Sequence, residues 1–422
     1  MRKNLKNIDR RLLTILLIVF VGMVGASMIL PILPLYAQSE FGLAPQAITL
    51  LSASFFAAQF LAGPLLGRLS DKHGRVPILI ISQIGTALSF VMLAMAGSAF
   101  MLFAARILDG ITGGNIIVAQ AYITDITPEE RRTEALGMIF AMFGISFFVG
   151  PALGGVLSAA FGPRVPYVIA ALAATLTVIL TWFTLNESVS PEQREANRRR
   201  SQVKFSPGEI WHNTPLLIVL LVAFIGQFGL GLLASTFALF GEAVLFAGSS
   251  QAGVSFGVGM LLTVVGLGQL VTQLVLLRPL LARFGDARLV VVGALIRALS
   301  FVILALVMSP WLGAIGSALF AVGMGLIMPP LQSLATKSVD DSLRGGVLGL
   351  YQSVSGLGTI ISTAIAGILF AITPQTPYWL GAILSLVVVL PAIVLAQRFQ
   401  PLPIPLPDQV AEPNPKSDQG PR

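Results

Sequence analysis

Arg106 and Asp109 stand three residues apart in an otherwise apolar stretch and are followed directly by Gly110. At helical spacing the two side chains share a face, so guanidinium and carboxylate meet. An ionisable pair in such surroundings points to function by default. Two readings of its chemistry stay open. Burial favours the neutral carboxyl and Arg106 favours the carboxylate, so Asp109 is a candidate proton-coupling group with Arg106 as its partner. The other reading is a static pair in which Asp109 only neutralises Arg106. Other chemistry is less available. The chain has no cysteine, hence no disulfide and no thiolate metal site. Its two histidines, His73 and His212, lie among polar and charged residues, so neither a metal nor another cofactor is expected. A lipid-directed enzyme needs a nucleophile beside a base, and neither histidine lies in an apolar run. No Gly-x4-Gly-Lys-[Ser/Thr] loop is present to cradle ATP.

Two further clusters are built on glycine. Gly67-Arg68-Leu69-Ser70-Asp71-Lys72-His73-Gly74-Arg75 separates two apolar runs. Gly74 suits a tight turn there, and Gly67 lets a neighbouring helix come close. Asp71 and Arg75 place both signs of charge at the membrane edge. The plainer alternative is a solvated basic loop that only sets topology. Farther on, Gly144-x5-Gly150-Pro151-x-x-Gly154-Gly155 puts Gly144, Pro151 and Gly155 on one helical face and Gly150 and Gly154 on its flank. Such a face allows close helix contact, and Pro151, lacking an N–H, bends the helix. Generic small-residue packing accounts for the same residues.

The elements that must carry these groups follow from composition. Of 422 residues, 55% are hydrophobic and 11% charged, against about 25% charged in soluble proteins. A mean hydropathy of +0.87 exceeds what a water-soluble core can bury, so the bilayer is the solvent. Apolar stretches occur at 12–37, 46–66, 76–96, 99–121, 134–160, 164–185, 214–247, 251–277, 288–308, 310–335, 345–372 and 376–397. Hydrocarbon satisfies no free backbone group, so each stretch is predicted to be helical. The expectation is an all-α integral membrane protein of twelve spans. Residues 1–11 form a cytoplasmic segment, 12–185 a six-helix bundle, 186–213 a cytoplasmic linker, 214–397 a second bundle and 398–422 a Pro-rich, disordered tail.

Basic residues predict the orientation. With both termini on one side, that side holds every Lys and Arg except Arg106, Arg164 and Arg297. The positive-inside rule then makes both termini cytoplasmic in a cell inner (plasma) membrane. The net charge of +7 is spread over many short loops, which suits a membrane face and not nucleic acid. The halves also repeat. At an offset of 211–212, Gly74 meets Gly285, Gln120 meets Gln332, Arg132 meets Arg344, Gly137 meets Gly349, Gly144 meets Gly356 and Gly155 meets Gly367. An even number of helices per half leaves the halves parallel, with a cavity between them.

The motifs resemble those of the major facilitator superfamily, in particular its twelve-span drug:proton antiporters. Gly67 to Arg75 is similar to the superfamily's signature between the second and third spans. There the carboxylate, here Asp71, engages the start of the eleventh span when the inner side is closed, which implies a gate of Gly67, Asp71, Gly74 and Arg75. The second-half copy is degraded, with Ala282 at the position of Asp71. Relatives carry Arg-x-x-Gln-Gly where this chain has Arg106-x-x-Asp109-Gly110. The Gly144–Gly155 pattern resembles the antiporter motif, which implies contact with the eighth span, where Gly253, Gly257 and Gly259 occur. In the second half Ser362 and Thr363 replace Gly150 and Pro151, so bulk is expected to hurt more at Gly150 or Gly154 than at Gly356 or Gly367. Gly22 to Pro34 and Asp125 to Arg132 also resemble family segments, but the first span has no acid. Arg297 matches a structural arginine of peripheral helices. On the helices that border the family's cavity, Gln59, Asn115, Phe143, Gln227, Phe228, Tyr351 and Gln352 are candidate substrate contacts. The resemblance implies a monomeric exporter of small amphipathic compounds in exchange for protons, working in the lipid bilayer by alternating access. The alternative is a sugar, metabolite or lipid carrier.

Overall fold

The computed structural model describes residues 10–113, 115–128, 131–188, 213–340 and 343–398, and no strand occurs among them. Segment 1–9, linker residues 189–212 and tail 399–422 lie outside the described residues. The first bundle contains α1 (Arg10–Ile29 and Ile32–Phe41), α2 (Pro45–His73) and α3 (Arg75–Ala94). It continues with α4 (Ala99–Thr112 and Asn115–Ile126), α5 (Arg132–Phe161) and α6 (Val165–Thr184). The second begins with α7 (Thr214–Phe240, extended by a π turn Gly241–Leu245). After it come α8 (from Gln251–Val271 through the π turn Thr272–Leu276), α9 (286–306), α10 (Pro310–Lys337), α11 (Arg344–Ile372) and α12 (Thr376–Val387 and Val389–Arg398).

Eleven helical runs among the described residues are long and apolar enough to cross a membrane, and one of them, Gln251–Leu306, has 56 residues. Straight, that run would measure about 84 Å at 1.5 Å per residue, against a hydrocarbon core of about 30 Å. It is not straight. Gly285 takes φ 73° and breaks the run, so it supplies two crossings and the count is twelve. The loop expected between 277 and 288 is therefore helix on both sides of one glycine. Gly74, its repeat partner, takes φ 104° between α2 and α3. A side chain at either position would strain the backbone. Three helices, α4, α7 and α8, start with a side-chain cap, Ser98, Asn213 and Ser250 accepting from the N–H groups of Met101, Leu216 and Gly253. The α1 break follows from Pro31: the Ser27 carbonyl loses its regular donor and accepts from Leu30 N–H at 3.3 Å.

The halves meet where α5 packs on α8 and α11 packs on α2. Gly137, Gly144 and Gly155 lie on one face of α5, and their surroundings change steadily along it. A Cβ on Gly155 would come within 2.8 Å of the Ser255 carbonyl oxygen and 3.1 Å of Gly259 Cα. On Gly144 it would meet only the Leu270 side chain at 3.2 Å, and on Gly137 nothing within 4 Å. The α11 face repeats the series against α2. Gly367 abuts the Pro45 carbonyl and Thr49, Gly356 meets the Phe60 ring at 3.0 Å, and Gly349 has nothing within 4 Å. Gly367 N–H also donates to Thr49 Oγ1 at 3.0 Å. The halves thus form a wedge. It is shut at the end away from Arg75, Arg132 and Arg344, and open toward those residues, an end called the basic end below.

Each bundle also has its own core. In the second, Arg297 of α9 is 1% exposed and donates to Gly226 O at 3.1 Å and Ser385 Oγ at 3.2 Å. Gly226 and Gly323, on α7 and α10, leave the space that its side chain fills.

The wedge makes a paired prediction. Gly155→Leu and Gly367→Leu should lower the melting temperature and transport, because overpacking costs about 1–3 kcal/mol. Gly137→Leu and Gly349→Leu should melt as the wild type does. Equal melting temperatures across all four variants would contradict the wedge.

Candidate functional site: a buried ion pair, a basic-end hub and a glycine seam

Arg106 and Asp109 occupy the first helical piece of α4. Arg106 Nη1 lies 2.7 Å from Asp109 Oδ2, with both side chains nearly buried. Gly110 explains the surroundings: without a Cβ it lets the Phe55 carbonyl of α2 come into contact. Phe55 then lies under the guanidinium, 4.0 Å from ring centroid to Cζ, a cation–π contact. Tyr167 of α6 also lies near Arg106. Thr86 and Ser89 of α3 lie near the Asp109 carboxylate; Ser89 Oγ donates to Thr86 O at 2.8 Å, and Thr86 Oγ1 is buried without a hydrogen-bond partner. The pair therefore points into the first bundle, toward α2, α3 and α6, and α4 resumes as a second helix just beyond it.

Arg75 is the hub of the basic end. Its Nη1 lies 2.6 Å from Asp71 Oδ1 and donates to Ser70 Oγ at 2.7 Å, while Nε donates to Asp125 Oδ2 at 2.9 Å. Glu187 accepts from the Arg75 and Val76 N–H groups at 2.9 and 3.3 Å, placing a carboxylate on the N-terminus of α3. In this open-wedge conformation Asp71 is thus bonded to Arg75. Gly67 faces Ile117 of α4 at 3.9 Å. The second half keeps the bridge with its charges exchanged. Lys337 Nζ lies 2.5 Å from Asp286, which also accepts from Ser333 Oγ. At the repeat offset Asp286 stands for Arg75 and Lys337 for Asp125.

The glycine motif of α5 has two faces rather than one face and a flank. Gly155, with the Pro151 carbonyl 2.6 Å from a Cβ built on Gly259, packs on α8. Gly150 and Gly154 pack on Ser27 and the Met28 carbonyl of α1. Ser27 donates to Ser146 O at 2.9 Å and Ser146 to Phe20 O at 3.3 Å, which ties α1 to α5. Gly367 is as tightly enclosed as Gly154, so the expected tolerance of the second half does not hold there. Gly253 to Gly257 has the spacing of a hydrolase nucleophile elbow, yet it lies inside the continuous helix α8.

The candidate cavity residues scatter. Gln352 is exposed, Gln59, Phe143 and Gln227 are half-buried, and Phe228 and Tyr351 are buried. Gln59 donates to Gly113 O at 3.2 Å, on α4. Gln227 and Tyr351 both reach Met328 Sδ, at 3.8 and 3.3 Å, so α7, α10 and α11 meet there. Phe228 packs against Phe224, centroids 6.1 Å apart. The Asn115 side chain lies outside the described residues. Sequence reasoning missed the Asp125 and Glu187 contacts to Arg75. The repeat offset, applied to charged as well as glycine positions, would have flagged the Arg75–Asp125 and Asp286–Lys337 correspondence.

The sequence pattern of the Major Facilitator Superfamily matches residues 15–260 and again 231–419. The chain belongs to the Major Facilitator Superfamily. It is 31% identical over 386 residues to the class C tetracycline resistance protein of Escherichia coli, covering 88% of this chain and 92% of that one. It is 25% identical over 399 residues to multidrug resistance protein 2 of Bacillus subtilis (strain 168), covering 92% and 95%. A crystal structure of a nucleoside transporter superposes with TM-score 0.75 at 15% identity, over 92% of this chain and all of the other, which shows the shared fold. As a transporter of the superfamily, the chain needs no reacting nucleophile.

The basic-end hub gives a prediction. Arg75 is nearly buried, and the Asp71 carboxylate is far more exposed than that of Asp125, 45% against 26%. Asp125→Asn should therefore lower the melting temperature more than Asp71→Asn, since exposed pairs contribute only about 0–1 kcal/mol. The reverse order in a thermal melt would remove Asp125 from its place in the hub.

Proposed function

We propose that this transporter exports small amphipathic compounds, drug-like or tetracycline-like, in exchange for protons by alternating access. The membrane is the cell inner membrane and the basic end faces the cytoplasm. The observation that carries the reading is the Arg106–Asp109 pair, 2.7 Å apart and buried in the bundle of a wedge-shaped molecule. Names of relatives that refer to tetracycline and multidrug resistance support the substrate class.

The chemistry runs as follows. With the wedge open to the cytoplasm, Asp109 is ionised and held by Arg106, and substrate enters between the halves. Protonating Asp109 removes one charge and frees Arg106, which keeps the Phe55 ring and Tyr167 as neighbours. The contacts of α4 with α2 and α3 then change. Proton and substrate bias the two wedge states only by their differential affinity for each. A protonated Asp109 favours one closure of the wedge, and bound substrate the other.

The test is flux in proteoliposomes under an imposed pH gradient, using tetracycline and a cationic dye. Asp109→Asn should abolish uphill transport and retain part of downhill exchange. Asp109→Glu should keep coupling with a shifted pH optimum. Arg106→Ala should also reduce the amount of folded protein, because breaking a buried pair costs about 3–5 kcal/mol. Uphill transport by Asp109→Asn at the wild-type level would reduce Asp109 to a counter-ion. Gradient-independent flux in the wild type would favour a facilitative carrier of sugars, metabolites or lipids.

A further inference from the structure

A small cavity lies inside the first bundle behind α1 and α4, lined among others by Gly22, Met23, Gln83, Ile116, Ala119 and Thr177. Its volume of about 30 Å³ is room for one or two waters, since a water needs roughly 10–15 Å³ on that measure. Most of its wall is apolar. Gln83 and Thr177 are its polar side chains: Thr177 donates to Ala174 O at 2.7 Å, whereas Gln83 is 2% exposed and its amide oxygen has no hydrogen-bond partner in the protein. A buried amide left unpaired costs about 1–3 kcal/mol, and native proteins meet that cost with ordered water. Gly22, Met23 and Ile116 are only half-buried, which gives the cavity an opening.

The position of Gln83 connects this cavity to the ion pair. Gln83 lies on α3 one turn from Thr86, and Thr86 faces Asp109. The neighbouring turn is locked to α4, because Ser82 donates to the Thr112 carbonyl and Gly85 abuts the Thr112 side chain. Thr86 Oγ1 is likewise buried without a hydrogen-bond partner in the protein, so two unpaired polar atoms one turn apart lead from the cavity toward the carboxylate, on the basic-end side of Asp109. The other side of the pair is occupied by Arg106, the Phe55 ring and Tyr167, against which Tyr36 of α1 packs at 5.5 Å. Among the described residues the charged group on Asp109 is Arg106, with Tyr167 beside Arg106 and Tyr36 beside Tyr167, and none of the three lines the cavity.

We infer that the proton exchanged at Asp109 travels through water held in this cavity by Gln83, behind α1 and α4. The inference rests on the proton-coupling reading of Asp109 and adds its route. No bond is made or broken beyond proton transfer: water accepts the proton from the carboxyl and passes it to the next water, leaving the carboxylate to Arg106. Gln83 neither gains nor loses a proton. It orients the water as a positioning residue.

Two variants act on the route without touching the pair. Gly22→Val fills the cavity, and a Cβ on Gly22 meets nothing within 4 Å, so the added bulk enters open space. Gln83→Leu removes the polar anchor at similar volume, and Gln83→Ser keeps a hydroxyl and enlarges the water space. The measurement is time-resolved infrared spectroscopy of the full chain in detergent after laser release of a caged proton. The Asp109 carboxyl band is identified by its loss in Asp109→Asn. Gly22→Val and Gln83→Leu should slow protonation about tenfold or more, the loss of about 1.4 kcal/mol of barrier lowering, while Gln83→Ser should keep the wild-type rate. The final extent of protonation should stay unchanged in all three, which a merely structural disturbance of the pair would not preserve. Wild-type rates in both Gly22→Val and Gln83→Leu would overturn the route and leave the role of Asp109 standing. A band that never titrates in the wild type would overturn both.

Discussion

At Gly155 the backbone of α5 lies against the backbone of α8 with no side chain between them, and at Gly367 the backbone of α11 meets the Pro45 carbonyl and the Thr49 hydroxyl of α2. In hydrocarbon no hydrophobic force holds helices together, so closeness of approach decides which surfaces stay joined. Both contacts sit at one end of the molecule and are related by the internal repeat. A further backbone contact, Gly266 of α8 against the Phe147 carbonyl of α5, lies toward the basic end, and the side-chain contacts at Gly144 and Gly356 mark where the halves begin to part. The wedge, its open mouth and the shielding of residues behind α1 and α4 all follow from where four glycine-bearing helices lack a Cβ.

The same hydrocarbon makes charge expensive, and the two bundles meet that cost differently. Arg297 is held by a carbonyl, a hydroxyl and glycine-lined space. Nothing in that arrangement responds to a proton at ordinary pH, so it is a fixed brace. Arg106 is held by a carboxylate and an aromatic ring. A carboxylate can be neutralised while the ring contact persists, so the cation has somewhere to stay in either protonation state. A charge with two acceptable environments can switch, whereas a charge with one is structural. That difference separates the two buried arginines, and the sequence already marks it by placing Asp109 three residues from Arg106 and no acid near Arg297 in its span.

The fold was largely legible in the sequence because the hydrocarbon constraint acts on long, uniform stretches. Span count, the repeat and the Gly74–Gly285 correspondence all come from residue types alone. The run from α8 to α9 was misread at its ends because hydropathy falls near Arg283 and Asp286 while the helix continues, and only φ at Gly285 marks the turn. The site was legible in part. Spacing brings Arg106 to Asp109, since three residues on one helix fix the geometry. Partners from other helices were hidden: Asp125 and Glu187 on Arg75, Ser27 and Met28 against Gly150 and Gly154, and Met328 between Gln227 and Tyr351. Those contacts depend on helix rotation, which small-residue patterns leave undetermined when two faces of one helix are both glycine-rich.

The seam between α3 and α4 ties these parts together. Near the basic end Arg75 of α3 holds Asp125 of α4, in the middle Ser82 and Gly85 hold Thr112, and one turn farther Thr86 and Ser89 face Asp109. The fastening near the basic end is ionic, the middle one joins the Ser82 hydroxyl to a carbonyl and Gly85 to the Thr112 side chain, and the far one sets neutral hydroxyls beside a carboxylate. α4 divides into its two helical pieces just beside that middle fastening. A change of charge at Asp109 therefore acts on the far piece of α4 directly and on the near piece only through the division. Asp125 acts the other way round. In the second half the corresponding seam between α9 and α10 keeps an ionic fastening at Asp286–Lys337 but has the uncoupled Arg297 where α3 carries its hydroxyls.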